Sequence, residues 1–535
     1  MRNTAFFKKA PLTAGGKKKF TGQENTIKSL KSLSEKVIDA LENSQAPFRY
    51  FVLTFLFAAA LRNFLEIFSD EYCPITPDNF LHYDLSYVAL AVLLSLLLYK
   101  AVKIPVAKIL RVVLPSFMIL NLPPLIDLLL SSGQGYDIAY LSPETHGSLL
   151  LRFLTFFGPF GEKGISPGIK IEVALVLVGV FFYIYLKTSR LLRSFVYTLL
   201  TYVVIFFYLS FPYIIKAVMG LMGLEFLHAN MQFISFYLSV IFVAGIFLAY
   251  AADRELFMLI LKDIRPFRLS HYLLMYILGL ALASQYQPVM PAQYNPFDLF
   301  FIPVAITFAW LFSVITNNLV DYDIDRVSNR DRPLTSGKIA AAPYKKIAWV
   351  LFFLALLYSG TAHFRAFFFI GLFIGNYFLY SMPPLRLKRI PFFSKLFISL
   401  NSLLLVLLGF MTVTGAIDDF PKALIAYFLI FFTAAINFID IKDYEGDKRA
   451  GIKTLPVLLG EKKSRLLIGG FFFLAHVSLY VTAQHRLLII PLLIFGGLQF
   501  GLINRKKYDE KIVFSFYLLS LLLIILYVVI FKVKI

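Results

Sequence analysis

Residues 317–337 read NNLVDYDIDRVSNRDRPLTSG and place Asn317, Asp321 and Asp325 four apart. Each step of four advances about 40° around a helix, so the three share one face, while Asp323 points elsewhere. Residues 437–460 read NFIDIKDYEGDKRAGIKTLPVLLG. There Asp443 and Asp447 are again four apart, with Asp440 and Asn437 each one turn earlier. Taken alone, the first stretch also reads as an ordinary solvated loop. A second set of the same spacing reduces that reading, and the two sets could face each other across a cavity. Carboxylates in such number suit a hard divalent cation, which keeps waters and takes further ligands from phosphate oxygens. Neither stretch has the His/Cys set that zinc needs. Arg330, Arg332, Lys448, Arg449 and Lys453 are interleaved with the acids. They could hold the same phosphates, or simply reflect the basic bias of cytoplasmic loops.

The elements that must position these residues are membrane helices. The chain has 535 residues, 59% hydrophobic and 16% charged, where soluble domains run about 45–50% and 25%. Its mean hydropathy is +0.74. A soluble enzyme, a disordered chain and a disulfide scaffold are excluded, and the single cysteine, Cys73, excludes an intrachain disulfide. The net charge of +20 does not imply nucleic acid, because the charges sit in short loops between apolar runs. Runs long enough to cross a bilayer number about fifteen, so the expected fold is an all-α polytopic membrane protein. Six lie near 50–68, 85–100, 110–130, 171–187, 194–216 and 231–251. Nine lie near 268–285, 298–318, 346–361, 365–381, 396–414, 422–439, 465–482, 486–503 and 512–531.

Alternate loops gather the bases: Lys100, Lys103, Lys108 and Arg111; Lys187, Arg190 and Arg193; Arg386, Lys388, Arg389 and Lys395; Arg505, Lys506, Lys507 and Lys511. Roughly four-fifths of the basic residues fall on this side, which places the N-terminus and both acidic stretches in the cytoplasm. The expected location is the cell inner membrane. Residues 1–48, with Lys8, Lys9, Lys17, Lys18 and Lys19, read as a basic cytoplasmic tail or an anionic-lipid anchor, not as a signal peptide. A short polar helix is expected within 24–43.

The paired motifs resemble those of the UbiA-type intramembrane prenyltransferase superfamily, which carries NxxxDxxxD after its second helix and DxxxD after its sixth. Asn317-x₃-Asp321-x₃-Asp325 and Asp443-x₃-Asp447 hold those places in the second half of the chain. Flanking segments are similar too: Arg265-Pro266-Phe267-Arg268, Arg332-Pro333-Leu334 with Ser336-Gly337, the loop from Tyr380 through Pro383, Pro384 and Arg386 to Lys388, and Thr454-Leu455-Pro456. The likeness spans residues 262–535 and implies a nine-helix bundle that moves an isoprenoid chain from an allylic diphosphate to an aromatic, quinone-precursor or lipid-type acceptor, with Mg²⁺. On that resemblance Asp321, Asp325, Asp443 and Asp447 hold metal. Asn317, Arg330, Arg332, Lys388 and Lys448 bind substrate. One departure concerns the helix 4 loop, where some members have a lysine four residues after a tyrosine and this chain has Pro384.

Residues 49–261 form an additional membrane domain of about six helices with no recognised catalytic motif. Arg62 and Glu66, four apart inside the first span, are either a functional intramembrane pair or a self-neutralising one. Asp127 and His228 have similar standing. A multi-span lipid or small-molecule transporter is the rival class, though it gives no reason for two acidic motifs on one side. A scaffold that docks a partner protein is a third reading of this half.

Overall fold

The computed structural model describes residues 32–532 except 71–74, 142–147, 159–163, 223–228, 287–296, 450 and 484–487. Lys8, Lys9, Lys17, Lys18, Lys19, Cys73 and His228 therefore lie outside the described residues. The chain divides into two compact units, Met1–Leu224 with Asn230–Asp253, and Arg254–Ile535 with Glu225–Ala229.

The first unit begins with α1, residues 32–42, inside the stretch expected to hold a polar helix. Then come α2 (Phe48–Ser69), α3 (Pro77–Val102) and α4 (Val106–Leu130). The short α5 (Leu149–Leu154) precedes α6 (Pro167–Thr188), α7 (Leu191–Leu209), α8 (Phe211–Met222) and α9 (Ala229–Ala252). α4 is not one regular helix. After Pro115 it tightens to a 3₁₀ turn at Phe117–Asn121 and resumes at Leu122–Leu130 with Pro123 and Pro124 in its first turn. Proline lacks the N–H that would continue the helical ladder, so three prolines in ten residues break it.

The Arg62 and Glu66 charges inside the first span pair with each other. Arg62 meets Glu66 at 2.6 Å with both side chains 6% exposed, and Arg62 also donates to the Leu120 carbonyl at 2.9 Å. Asp127 is fully buried and accepts from the Ser166 hydroxyl at 2.5 Å and the Gly168 N–H at 2.7 Å. It thereby supplies an acceptor to the open N-terminus of α6. α1 is tied down at its end. Glu42 pairs with Lys187 at 2.8 Å and accepts from the Tyr183 hydroxyl at 3.0 Å, while Lys108 donates to Asn43 at 2.7 Å and Arg111 to the Ser44 carbonyl at 2.7 Å.

The second unit opens with α10 (Arg254–Lys262), α11 (Pro266–Ala283) and α12 (Asp298–Val320). The two-turn α13 (Tyr322–Ser328) follows, then α14 (Ala341–Ala362), α15 (Phe364–Ser381) and α16 (Pro391–Thr414). α17 (Lys422–Asp440) passes through a π-helical turn at Phe428–Phe432 and ends in a 3₁₀ turn at Ile436–Asp440. The short α18 (Tyr444–Arg449) and α19 (Leu455–Leu459) lead to α20 (Glu461–Ala483), α21 (Ile489–Asn504) and α22 (Glu510–Phe531).

Among the described residues 13 helices are long and apolar enough to cross a membrane, six in the first unit and seven in the second. The chain is a multi-pass integral membrane protein. Two expected spans fall on helices outside that set: 465–482 on α20, whose first turn carries Glu461, Lys462, Lys463 and Arg465, and 486–503 on α21, which has 16 residues. The described residues contain no strand, only isolated bridges between Asp70 and Tyr136 and between Ile138 and Gly164.

In the second unit α11 and α16 cross at Gly279 and Gly409. A Cβ on Gly279 would lie 2.0 Å from the Val406 carbonyl oxygen, and one on Gly409 would lie 2.1 Å from that of Tyr276. Only glycine permits backbones this close. The contact holds Arg268, His271 and Tyr272 of α11 and Lys395 of α16 around one cavity. Gly279→Val should push the helices apart and cost about 1–3 kcal/mol or more. Its check is the thermal unfolding of the purified protein beside Gly371→Ala, where an added Cβ meets nothing within 4 Å.

Candidate active site

The second unit encloses a cavity of about 300 Å³ where the acidic motifs converge. α12 delivers Asn317. Asp321 stands at the break between α12 and α13, yet the Asp321 N–H still bonds the Asn317 carbonyl at 2.9 Å and the Asp325 N–H the Asp321 carbonyl at 2.8 Å. The i,i+4 ladder thus survives the break and keeps all three residues on the cavity wall, while Asp323 is exposed and outside it. Across the cavity stand Asp440 at the end of α17, then Asp443, and Asp447 on α18. The Asp447 N–H bonds the Asp443 carbonyl at 2.8 Å.

The two sides differ in charge compensation. Asp321 is held by Arg386 at 2.5 Å and by Lys388, and Asp325 by Arg332. Lys388 also donates to the Asn317 side-chain oxygen at 3.0 Å, which accepts from Ser381 at 2.8 Å. Burial draws the Lys388 amine below its ordinary pKa, against the pull of the Asp321 carboxylate. On the opposite side Asp440 pairs with Lys395 at 2.6 Å. Among the described residues Asp443 and Asp447 have no ion-pair partner. Partial burial, then the charges of Asp440 and Asp443, push the Asp447 carboxyl up to about 6. A carboxyl raised by its acidic neighbours is one that a bound cation would stabilise. No three His, Cys, Asp or Glu side chains among the described residues converge tightly enough to hold a metal alone. The donor set therefore fits a hard cation that shares its coordination with phosphate oxygens.

Arg268 on α11 lines the same cavity, half-buried, with no hydrogen-bonded or ion-paired side-chain partner among the described residues. Arg265 and Arg386 have left-handed backbones, at φ 51° and 45°. Such conformations cost about 1–3 kcal/mol each and persist where surrounding contacts impose them. Arg386 is fixed by Asp321. Arg265 is fixed by Asn318, whose side-chain oxygen accepts from it at 2.7 Å and from Arg332 at 3.2 Å. The Asn318 amide donates to the Tyr344 hydroxyl at 2.9 Å, and Tyr344 donates to Asp263 at 2.5 Å. Burial brings Arg265 down to about 10, with Arg268 and Arg332 adding to the effect, and raises Asp263. Asn318→Ala should therefore destabilise the protein by about 1–3 kcal/mol through the unpaired groups it leaves. Its melting temperature should fall, and the Michaelis constant for substrate should rise because Arg332 loses a tether.

Of the residues singled out by spacing or resemblance, Asn317, Asp321, Asp325, Arg332, Lys388, Asp443 and Asp447 line the cavity. Arg330 and Lys448 do not: both are exposed, and Lys448 lies over the Tyr444 ring at 5.7 Å. The structure adds Arg268, Lys395 and Asp440, and a wall of rings. Tyr272 and Trp310 are 5.4 Å apart between centroids, Trp310 and Tyr377 5.7 Å, and Tyr377 and Tyr380 6.0 Å. The Tyr272 and Tyr377 hydroxyls bond each other, and the Trp310 indole N–H donates to the Ile264 carbonyl at 2.6 Å. The polar tips of Tyr272, Trp310 and Tyr377 are thus occupied by these partners.

A helical membrane protein whose cavity joins carboxylates, unsatisfied positive charge and aromatic rings is built as an intramembrane enzyme for an anionic, partly apolar substrate. Residues 272–522 match the UbiA prenyltransferase family. A digeranylgeranylglyceryl phosphate synthase of Pyrococcus horikoshii is 30% identical over 208 residues, which are 39% of this chain and 71% of that protein. A probable chloroplastic homogentisate phytyltransferase 2 of Oryza sativa subsp. japonica is 28% identical over 247 residues, 41% of this chain and 63% of that one. A UbiA homolog from Archaeoglobus fulgidus, solved with DMAPP and Mg²⁺, aligns with 50% of this chain and 96% of its own at 19% identity and a TM-score of 0.42. The chain belongs to the UbiA prenyltransferase family and is a membrane prenyltransferase.

Proposed function

We propose that the second unit transfers an isoprenoid chain from an allylic prenyl diphosphate to a lipid-type, aromatic or quinone-precursor acceptor, in the presence of Mg²⁺, with its acidic loops facing the cytoplasm. The observation that carries this reading is the convergence of Asn317, Asp321, Asp325, Asp443 and Asp447 on one cavity with Arg268, Arg332 and Lys388. The similarity to one protein named for a glyceryl phosphate product and another named for homogentisate supports the lipid-type and the aromatic acceptor classes.

In this reading Asp321, Asp325, Asp443 and Asp447 would hold Mg²⁺, which would supply positive charge to the diphosphate leaving group. Arg268 has no acid to leave and is free to donate to a phosphate oxygen. Arg332 and Lys388 add positive charge beside it, preorganised by Asn318 and Asn317. Tyr272, Trp310 and Tyr377 face the carbon that becomes electron-poor and stabilise it through their π-clouds, each ring contributing about 0.5–2 kcal/mol. Exposed Arg330 and Lys448 attract the anionic substrate to the cavity without clamping it. Residues 1–261 form a separable membrane domain that takes no part in bond breaking.

The test is incubation of the purified full chain with labelled prenyl diphosphates of several lengths, Mg²⁺, and phenolic, quinone-precursor and glyceryl phosphate acceptors. Mass spectrometry should find a prenylated product from one acceptor class and release of diphosphate. Absence of any product or diphosphate across the panel would overturn the reading.

A further inference from the structure

The first unit holds a cavity of its own, about 520 Å³, which the proposed transfer does not use. Its wall follows α6 from Ile169 to Tyr183, about 21 Å at the helical rise, a length along which one extended lipid chain can run. Most of the wall is Leu, Ile and Val, and the polar side chains collect toward one end. There stand the Arg62–Glu66 pair, Tyr87 about three turns into α3 and Glu172 near the start of α6. Arg62 and Glu66 satisfy each other's charge. The Glu172 carboxyl and the Tyr87 hydroxyl have no hydrogen-bond or ion-pair partner among the described residues. A largely apolar cavity with a few convergent polar groups has the form of a small-molecule site. A polar group left unpaired inside a membrane protein is costly unless something else completes it.

We propose that this cavity binds one molecule of a neutral, single-chain lipid with a hydroxyl head. The hydroxyl donates to the Glu172 carboxyl and accepts from Tyr87, and the chain lies along α6. A hydroxyl there completes the unpaired Glu172 carboxyl, and the apolar length of the wall takes the chain. An anionic head is disfavoured. Arg62 is the sole base among the described lining residues and is neutralised by Glu66, while Glu172 brings no positive charge in either protonation state. A prenyl diphosphate, the substrate proposed for the other unit, therefore does not belong here. The inference rests on the first unit alone and not on the transferase reading.

The experiment is photo-crosslinking of the purified full chain with a diazirine-bearing farnesol. Saturable labelling should concentrate on peptides of α3 and α6. Excess geranylgeraniol should displace it, and geranylgeranyl diphosphate should not. Glu172→Leu should weaken that displacement roughly tenfold, the effect of losing a hydrogen bond to a carboxyl group. Gly179→Phe should abolish saturable labelling by filling the shaft. Gly179 lines the cavity, and a Cβ there meets nothing within 4 Å, so the larger side chain has room. Melting temperature and monodispersity of both variants verify folding. Labelling spread evenly over lipid-facing helices, affinity unchanged in either folded variant, or displacement by the diphosphate or a long-chain amine equal to that by the alcohol would overturn the proposal.

Discussion

Asp447→Ala abolishes transfer and leaves the folded protein in the membrane. The expected fall in kcat is about 10²–10³-fold, the range for removing one group that stabilises developing charge at a preorganised site. This position is a cleaner probe than Asp321. Asp447 has no ion-paired base among the described residues, so its removal strands no cation and relieves repulsion from Asp440 and Asp443. Asp321→Ala should be as inactive but also less stable, because Arg386 and Lys388 lose their shared acid. The measurements are consumption of labelled prenyl diphosphate and the melting curve of each variant. A chelator in excess should reproduce the Asp447→Ala loss in the parent protein without shifting its melting temperature. Transfer that continues at full rate in either condition would sink the assignment of the acidic motifs.

Arg268→Gln raises the Michaelis constant for prenyl diphosphate by about 10–100-fold, the equivalent of a charge-assisted hydrogen bond of about 1.5–3 kcal/mol. Arg330→Gln and Lys448→Gln, in contrast, should change it by no more than about threefold, and added salt should erase the difference. All three residues belong to basic segments beside an acidic motif or its helix. They differ in that Arg268 lines the cavity and has no acid to satisfy it, whereas the other two are solvated. Equal effects from all three would mean that the cavity attracts substrate by its overall field and does not clamp it. Steady-state kinetics at two ionic strengths distinguishes these outcomes.

The acidic motifs were legible because Asp and Asn are rare beside apolar runs and their spacing of four matches the helix. Helical spans were legible for the same reason, as lengths of uninterrupted apolar sequence. What a linear pattern cannot convey is which bases turn inward. Arg330 and Arg332 are two residues apart, yet Arg332 reaches Asp325 and Asn318 while Arg330 faces out. Asn318 was hidden beside Asn317, although it ties Arg265, Arg332 and Tyr344 together. The aromatic wall was hidden by abundance, since 58 Phe and 30 Tyr give no composition signal for the few that meet at Trp310. The cavity of the first unit had only a partial signal. Arg62 and Glu66 stood out as an i,i+4 pair, but Glu172 sits in an apolar run and acquires meaning only from what fails to touch it.

The anchoring of α1 sets where manipulation of the amino end becomes invasive. Asp39, Glu42, Asn43 and Ser44 are engaged by Lys187, Tyr183, Lys108 and Arg111. A tag, fluorophore or tether attached ahead of residue 32 thus joins a helix already docked on the basic end of its unit. Cutting back to residue 48 would instead strip Glu42 from Tyr183 and Lys187 of α6 and take Asn43 and Ser44 from Lys108 and Arg111 of α4. The boundary between a handle and a structural member falls between those two positions, ahead of the first span.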